Sequence, residues 1–454
     1  MSKKRVLSVF FTLFILVLGI DAFAQTSKQA YEILRLIRHE KFDLIMPGAM
    51  RDNNVDMWMH VVREGFPDPL DLDFGGRPNW SVTDTLSIYI FTDRGGDRIE
   101  RAIFGGSGER GLYDIFGTER NLREFVEERD PKVIAVNMST WLPAADGLSY
   151  TQYQRLTKNL GEKYSERLVS SEYVLTDFRV RRVQREIIAF ANACEIHRQV
   201  QEAALRRIKP GISTREDIGW WAQDQLKAHG GMIPRFGRGP GGPRVIHSEV
   251  SDRSETGGAD YIYQRGDLLS WDMSVRYLNF GTDYKRNAYL LKEGETRAPE
   301  GVQNAFDKGL QARKIIRKHV RAGRTAGDTQ NAIIRAMEAE GYIYTPRTDI
   351  GSLDRQIVRA LGDNEKSGFS LDMHQLGNTG SGNVEAGARI SPYSPFRLPL
   401  MIQPNFLFSF EYTVHTLVPE WGERLEINFE DNHVVTENGV EWLYPPNEKI
   451  IIIP

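Results

Sequence analysis

The sequence predicts an α+β protein of two domains behind an N-terminal export segment. Three observations carry this reading. Residues 25–175 mix short apolar strands with helices. Residues 176–454 run helix, helix, β-hairpin and then repeat that order. Four acidic residues of the second part stand on strands that are otherwise apolar or aromatic.

The first segment is set apart by composition. Lys3, Lys4 and Arg5 form a basic start, and Val6 to Ile20 is apolar apart from Ser8, Thr12 and Gly19. Ala22-Phe23-Ala24 offers the small residues of a signal-peptidase site. The apolar run covers 15 residues, 6 to 20, against the roughly 20 that a spanning helix needs. Residues 1–24 are therefore expected to be a cleaved signal peptide, leaving a soluble periplasmic or secreted chain without stable membrane insertion. Removing three bases and one acid takes the net charge from −3 to −5. That balance gives no basic footprint for nucleic acid. Cys194 is the single cysteine, which excludes an internal disulfide and any cysteine-based metal site.

In the first domain, Gln29 to Arg38 reads as a helix. Phe42 to Ile45, Met57 to Val62, Leu86 to Phe91, Ile99 to Phe104 and Val133 to Val136 read as strands. Glu119 to Glu128 reads as a helix, and a helix-rich stretch from Thr151 to Glu172 leads out. Gly106, Gly108 and Gly111 fit a dinucleotide fingerprint formally, but no long helix opens there, so a glycine loop is expected.

The second domain opens with a long helix, Val183 to Ile208, stopped by Pro210-Gly211. Ser213-Thr214-Arg215-Glu216 starts a second helix running to about His229, and a glycine-rich loop, Gly237 to Gly242, follows. Strands are expected at Leu268 to Tyr277 and Tyr284 to Leu291, with Asn279 and Gly281 as turn residues. The order recurs with helices at about Val302 to Arg321 and Thr329 to Glu340, the latter capped by Asp328. Strands follow at Phe406 to His415, Leu425 to Phe429 and His433 to Thr436.

The acids are Asp272 and Asp283 on the first hairpin and Glu411 and Glu430 on the second. Singly, each has a plain structural reading as a solvent-facing strand acid or a turn acid. His374 alone reads as a hydrogen-bonded loop histidine. Jointly they point to metal chemistry. Four converging carboxylates repel one another, and burying them costs free energy unless a cation is present. A pair of divalent ions removes that repulsion, and an imidazole such as His374 is a natural fifth ligand.

Residues 181–454 resemble the catalytic domain of the creatinase, aminopeptidase P and prolidase superfamily, the pita-bread fold. The resemblance rests on Asp272 followed 11 positions later by Asp283, then His374, Glu411 and Glu430, with Glu430-Asp431 leading to Val435-Thr436-Glu437-Asn438-Gly439. Residues 25–175 resemble the family's smaller α/β domain, notably at Met50-Arg51-Asp52-Asn53-Asn54-Val55-Asp56-Met57-Trp58. The resemblance implies two divalent metals, Mn²⁺ first with Co²⁺ or Zn²⁺ as alternatives. Asp272, Asp283, His374, Glu411 and Glu430 would hold them, and Glu411 would relay a proton. His247 or His415 would assist, and the substrate would be a peptide cleaved after its first residue, before proline. A homodimer is compatible with this reading.

Several positions depart from the family pattern. Ser274 stands for a usual Gly, Lys285 for a Thr and Asn428 for an Arg. The family's His-x-x-Gly-x-x-x-His motif fits His374 in two registers. As the first His it leaves Ser381 in the second place, and as the second it leaves Ser367 in the first. The former is preferred because it keeps all five ligands. The departures leave two other functions open: a pita-bread protein that only binds ligand, and a metal-independent amidinohydrolase like creatinase.

Overall fold

The computed structural model describes residues 26–63, 66–78, 86–231, 241–251, 256–346, 360–362, 365–378 and 385–454. Residues 1–24, expected to be a signal peptide, most of the Gly237 to Gly242 loop and Ser381 lie outside the described residues. Among these residues no helix is long and apolar enough to cross a membrane.

The first domain is built on a six-stranded mixed sheet. Its strands are β1 (Met57–Val62), β2 (Ser87–Thr92), β3 (Glu100–Phe104), β4 (Ile115–Gly117), β5 (Ile134–Val136) and β6 (Leu168–Ser170), in the order β4-β3-β2-β1-β5-β6. Strand β1 is buried along its whole length, and period-two alternation splits its side chains between two cores. Met57, Met59 and Val61 pack with Ile88 and Ile90, whereas Trp58 and Val62 pack with Phe74 and Phe91. The glycine segment forms no nucleotide loop: Gly106–Gly108 pairs antiparallel with Gly76–Pro78.

The expected strand at Phe42 to Ile45 is instead helical. Helix α1 (Ser27–Glu40) continues through a π-helical turn, Lys41–Ile45, into α2 (Met46–Asp52). Four apolar-rich residues fit either period, and the π-helical turn runs directly into Pro47 in the first turn of α2. Helices α3 (Leu122–Arg129) and α4 (Tyr150–Leu160) cover one face. On the other, α5 (Glu172–Val180) sends Val174, Leu175 and Phe178 into the first domain's core.

The second domain opens with α6 (Gln184–Arg206) and α7 (Arg215–Ala228), which back a hairpin of β8 (Leu268–Tyr277) and β9 (Phe280–Leu290). Strand β7 (Arg244–His247) pairs with β8. The repeat supplies α8 (Glu300–His319) and α9 (Ala326–Ala339), which back β10 (Ile343–Tyr344), β11 (Gly368–Leu371), β14 (Tyr412–Val418) and β15 (Glu423–Phe429). The short β12 (Gly377–Asn378) joins β9. A third sheet holds β13 (Phe406–Ser409), β16 (Asn432–Thr436) and β17 (Gly439–Trp442), and β18 (Ile451–Ile453) runs parallel to β9. The cap of α9 is Thr325, whose hydroxyl accepts from the Asp328 N–H at 3.0 Å, rather than Asp328 itself.

The stretch expected as one strand, Phe406 to His415, is two. The chain leaves the β13 sheet at Phe410-Glu411 and enters the β14 sheet. Glu430-Asp431 makes the opposite crossing between β15 and β16. Both glutamates thus stand where the chain changes sheets, and the Phe410 N–H donates to the Asp431 carbonyl at 2.8 Å between the crossings.

Candidate metal and active site

The β8–β9 register decides which side chains meet. The hairpin closes through Leu278-Asn279, with Tyr277 opposite Phe280 and Leu278 at φ 54°. Ser274 therefore faces Asp283, and Asp272 faces Lys285. Alternation puts these four on one face, while Leu269, Trp271, Met273 and Val275 pack toward α6 and α7.

The inner face of this hairpin meets the two sheet crossings. Lys285 N–H donates to the Glu430 carbonyl at 3.1 Å, and Asp283 N–H to Asn432 Oδ1 at 3.0 Å. Ser409 N–H donates to the His374 carbonyl at 2.8 Å, and Asp372 N–H to the Glu411 carbonyl at 3.1 Å. Backbone pairing thus brings together Asp272, Asp283, His374, Glu411 and Glu430. His374 Nε2 lies 3.6 Å from Glu430 Oε1 and 3.7 Å from Glu411 Oε2. Asp283, His374 and Glu430 offer ligand atoms that all lie within 4.8 Å of one another. One oxygen, one nitrogen and one further oxygen at that spacing suit a divalent ion.

The other half of the cluster is occupied by the chain itself. Lys285 Nζ lies 2.8 Å from Glu411 Oε1, 3.4 Å from Asp272 Oδ2 and in contact with Glu430 Oε2. Burial alone would push this lysine down, but Glu411, Glu430, Asp272 and Asp283 outweigh it and hold its pKa well above the ordinary value. Glu411 responds the other way. Burial opposes its ionisation, yet Lys285 and His374 hold it far below the usual carboxylate range. Asp283 and Glu430 are raised, first by burial and then by neighbouring carboxylates. His374 is raised against its own burial by Glu385, Glu411 and Glu430.

Supporting contacts fix the acids. Ser409 Oγ donates to Glu430 Oε1 at 2.6 Å, Ser274 Oγ to Asp283 Oδ1 at 3.1 Å, and Asn428 Nδ2 to Glu411 Oε1 at 3.4 Å. Two departures from the family pattern are thus hydrogen-bonded to cluster acids, and the third is the lysine. Glu385, absent from the sequence reading, lies 3.4 Å from His374 Nδ1 and is held by Arg389 and Arg397. Beside Glu430, Asp431 is buried and pairs with Arg286 at 3.0 Å and Arg313 at 2.9 Å. Ser274, Lys285 and Asn428 carried a sequence signal, each standing two residues from a cluster acid, whereas Glu385 carried none.

The two other expected histidines are not brought to the cluster. His247 stacks on Trp421 with centroids 3.4 Å apart, and its Nδ1 meets Glu423 at 2.5 Å. It pairs across from Leu268, about 13 Å along β8 from Asp272 at ~3.3 Å per residue. His415 is buried on β14 opposite Gly368, with Glu426 at 3.9 Å. Ser367, the ligand position in the other register, bonds Thr416 Oγ1 at 2.9 Å.

Comparison with known proteins places this geometry. The model of metallopeptidase family M24 matches residues 189–437. The chain belongs to metallopeptidase family M24. It is 22% identical over 305 residues to an Xaa-Pro dipeptidase of Pyrococcus furiosus, covering 67% of this chain and 73% of the relative. It is 24% identical over 268 residues to a methionine aminopeptidase 2 of Laccaria bicolor, covering 54% and 69%. An X-Pro aminopeptidase structure from Thermotoga maritima superposes with a TM-score of 0.59 at 16% identity, covering 89% of this chain and all of that one. The M24 match and this shared architecture identify the second domain as the pita-bread domain and the first as its smaller N-terminal companion.

Proposed function

We propose that this M24 protein is an exported, metal-dependent exopeptidase that removes one N-terminal residue from short peptides, with Xaa-Pro bonds as its preferred class. The observation that carries the reading is the convergence of Asp283, His374 and Glu430 within 4.8 Å of one another in the family's fold. The names of the relatives, Xaa-Pro dipeptidase and methionine aminopeptidase, support an N-terminal exopeptidase. The basic, apolar and small-residue segments of residues 1–24 support export.

Asp283, His374 and Glu430 would hold the ion, Mn²⁺ before Co²⁺ or Zn²⁺. A divalent ion held there supplies Lewis acidity that polarises a peptide carbonyl. Asp272 is the open member of the cluster, with 53% of its side chain exposed. Its carboxylate would pair with the ammonium of a peptide N-terminus. Glu411, 16% exposed, is the acid placed to accept a proton from water. Lys285 keeps it ionised for that role and at the same time weakens it as a base.

The test is release of the first amino acid from Ala-Pro, Gly-Pro and Met-Ala-Ser by purified mature protein with MnCl₂. Release from the proline dipeptides, abolished by chelator and by Asp283→Asn, is expected. Intact peptides from metal-loaded protein would contradict the proposal. A second reading, a pita-bread protein that binds peptides without cleaving them, is favoured by the ion pair between Lys285 and Glu411. It predicts peptide-induced thermal stabilisation with no turnover. Export is checked by N-terminal sequencing of the secreted chain, which should begin at Gln25.

A further inference from the structure

The two glutamates of the cluster each face two ways. Glu411 turns Oε2 toward His374 and Oε1 toward Lys285. Glu430 turns Oε1 toward His374 and Oε2 toward Lys285. The cluster is therefore divided into two half-sites that share bridging carboxylates. One half collects Asp283, His374 and the His-facing glutamate oxygens. The other collects Asp272 Oδ2 and the two remaining glutamate oxygens, and the lysine ammonium stands among them.

We propose that Lys285 is a built-in cation that takes the place of one of two divalent ions, so that the protein binds one ion fewer than the same cluster would without the lysine. This concerns the site named above but does not depend on peptide cleavage. The geometry argues for it in three ways. First, the ammonium already uses the oxygens a second ion would need, at distances of 2.8 and 3.4 Å from two of them. Second, an ammonium and a divalent ion repel one another within one low-dielectric pocket. Third, charge counting favours one ion. Four carboxylates, one ammonium and one divalent ion leave −1, and a second ion would reverse the sign.

The lysine is also held in register and not free to leave cheaply. Its N–H is bonded to the Glu430 carbonyl, its residue pairs across the hairpin with Asp272, and its side chain is 8% exposed. Withdrawing the ammonium would leave the two buried glutamates, Glu411 and Glu430, without their cation. A thiol or hydroxyl at this position could not supply the charge, so the substitution at position 285 changes what the cluster accepts.

The test is metal stoichiometry, read without substrate. Wild-type protein, Lys285→Thr and Lys285→Met are stripped with chelator and titrated with Mn²⁺ by calorimetry. Metal content is then read by mass spectrometry after gel filtration. Both variants should bind one more equivalent than wild type, and Mn²⁺ should raise their melting temperature by more than it raises that of wild type. Equal stoichiometry in wild type and both folded variants would overturn the proposal, whatever the common number. Melting curves without metal show whether each variant folds, and the methionine keeps side-chain bulk if the threonine does not. Absence of peptidase activity would count against the exopeptidase reading alone.

Discussion

Asp431→Ala should be the most damaging substitution outside the cluster itself. Asp431 is 1% exposed and receives Arg286 Nη1 at 3.0 Å, Arg313 Nη2 at 2.9 Å and the Asn447 N–H at 3.2 Å. Both arginines are buried, and Arg313 comes from helix α8, so this one carboxylate ties the second helical repeat to the β9 strand and to the Glu430 crossing. Removing one partner of a buried pair leaves an uncompensated charge, at a cost of about 3–5 kcal/mol. Here two guanidiniums lose a partner together, which puts the expectation at the upper end of that range. At ~2–4 °C per kcal/mol for a domain of this class, the melting temperature should fall by roughly 10 °C or more. Urea unfolding followed by circular dichroism and tryptophan fluorescence measures the loss. Arg313→Met and the double variant complete a cycle, in which the second change should cost much less than the first. A loss below about 1 kcal/mol for Asp431→Ala would refute the view that this pair holds the crossing in place.

Two further predictions concern packing and pH. A Cβ added at Gly309 of α8 would lie 1.9 Å from the Phe429 ring, so Gly309→Ala should destabilise by about 1–3 kcal/mol instead of gaining the usual helix propensity; unchanged or increased urea resistance would contradict this. His433 sits among the rings of Phe408, Phe410 and Trp442, and burial lowers its pKa from 6.5 to about 3. The unfolded chain then takes a proton below pH 6.5 that the folded chain refuses. Stability should therefore fall as pH drops from 6.5 toward 3, by about 1.4 kcal/mol per pH unit for this group. Urea midpoints at pH 7 and pH 5 should differ less in His433→Asn, and an unaltered pH dependence would contradict the assignment.

Most elements of the fold were legible because their periods were long and clean. The helices that begin at Gln184, Arg215, Glu300 and Ala326 and the apolar strand Met57–Val62 needed no tertiary information. Short or composite segments did not behave so. Phe42 to Ile45 is too brief to separate a strand from one turn of helix, and its neighbours impose the helix. Phe406 to His415 looks continuous because both halves are aromatic and aliphatic, yet they belong to different sheets. Only the docking of β13 on β16 and of β14 on β11 breaks it at Glu411.

The acids of the site could be picked out because a carboxylate on an apolar strand demands a partner. The identity of that partner was harder to read. Lys285 was visible as a departure at the position where the family has Thr, but its role depends on facing Asp272. That depends on a two-residue turn at Leu278-Asn279, whereas Asn279 and Gly281 suggested a later one. A one-residue change of register would have turned the lysine to the helix side of the sheet. His415 shows the converse: a histidine four residues from a candidate ligand says little when extended strand intervenes, and His247 stands on the neighbouring strand β7, opposite Leu268.

The measurement closest to the central claim is anomalous diffraction from crystals soaked in Mn²⁺. A single peak bounded by Asp283, His374 and Glu430 is expected, with the Lys285 ammonium still against Glu411 and Asp272. Two peaks with Lys285 displaced, or a peak that leaves His374 unligated, would contradict it.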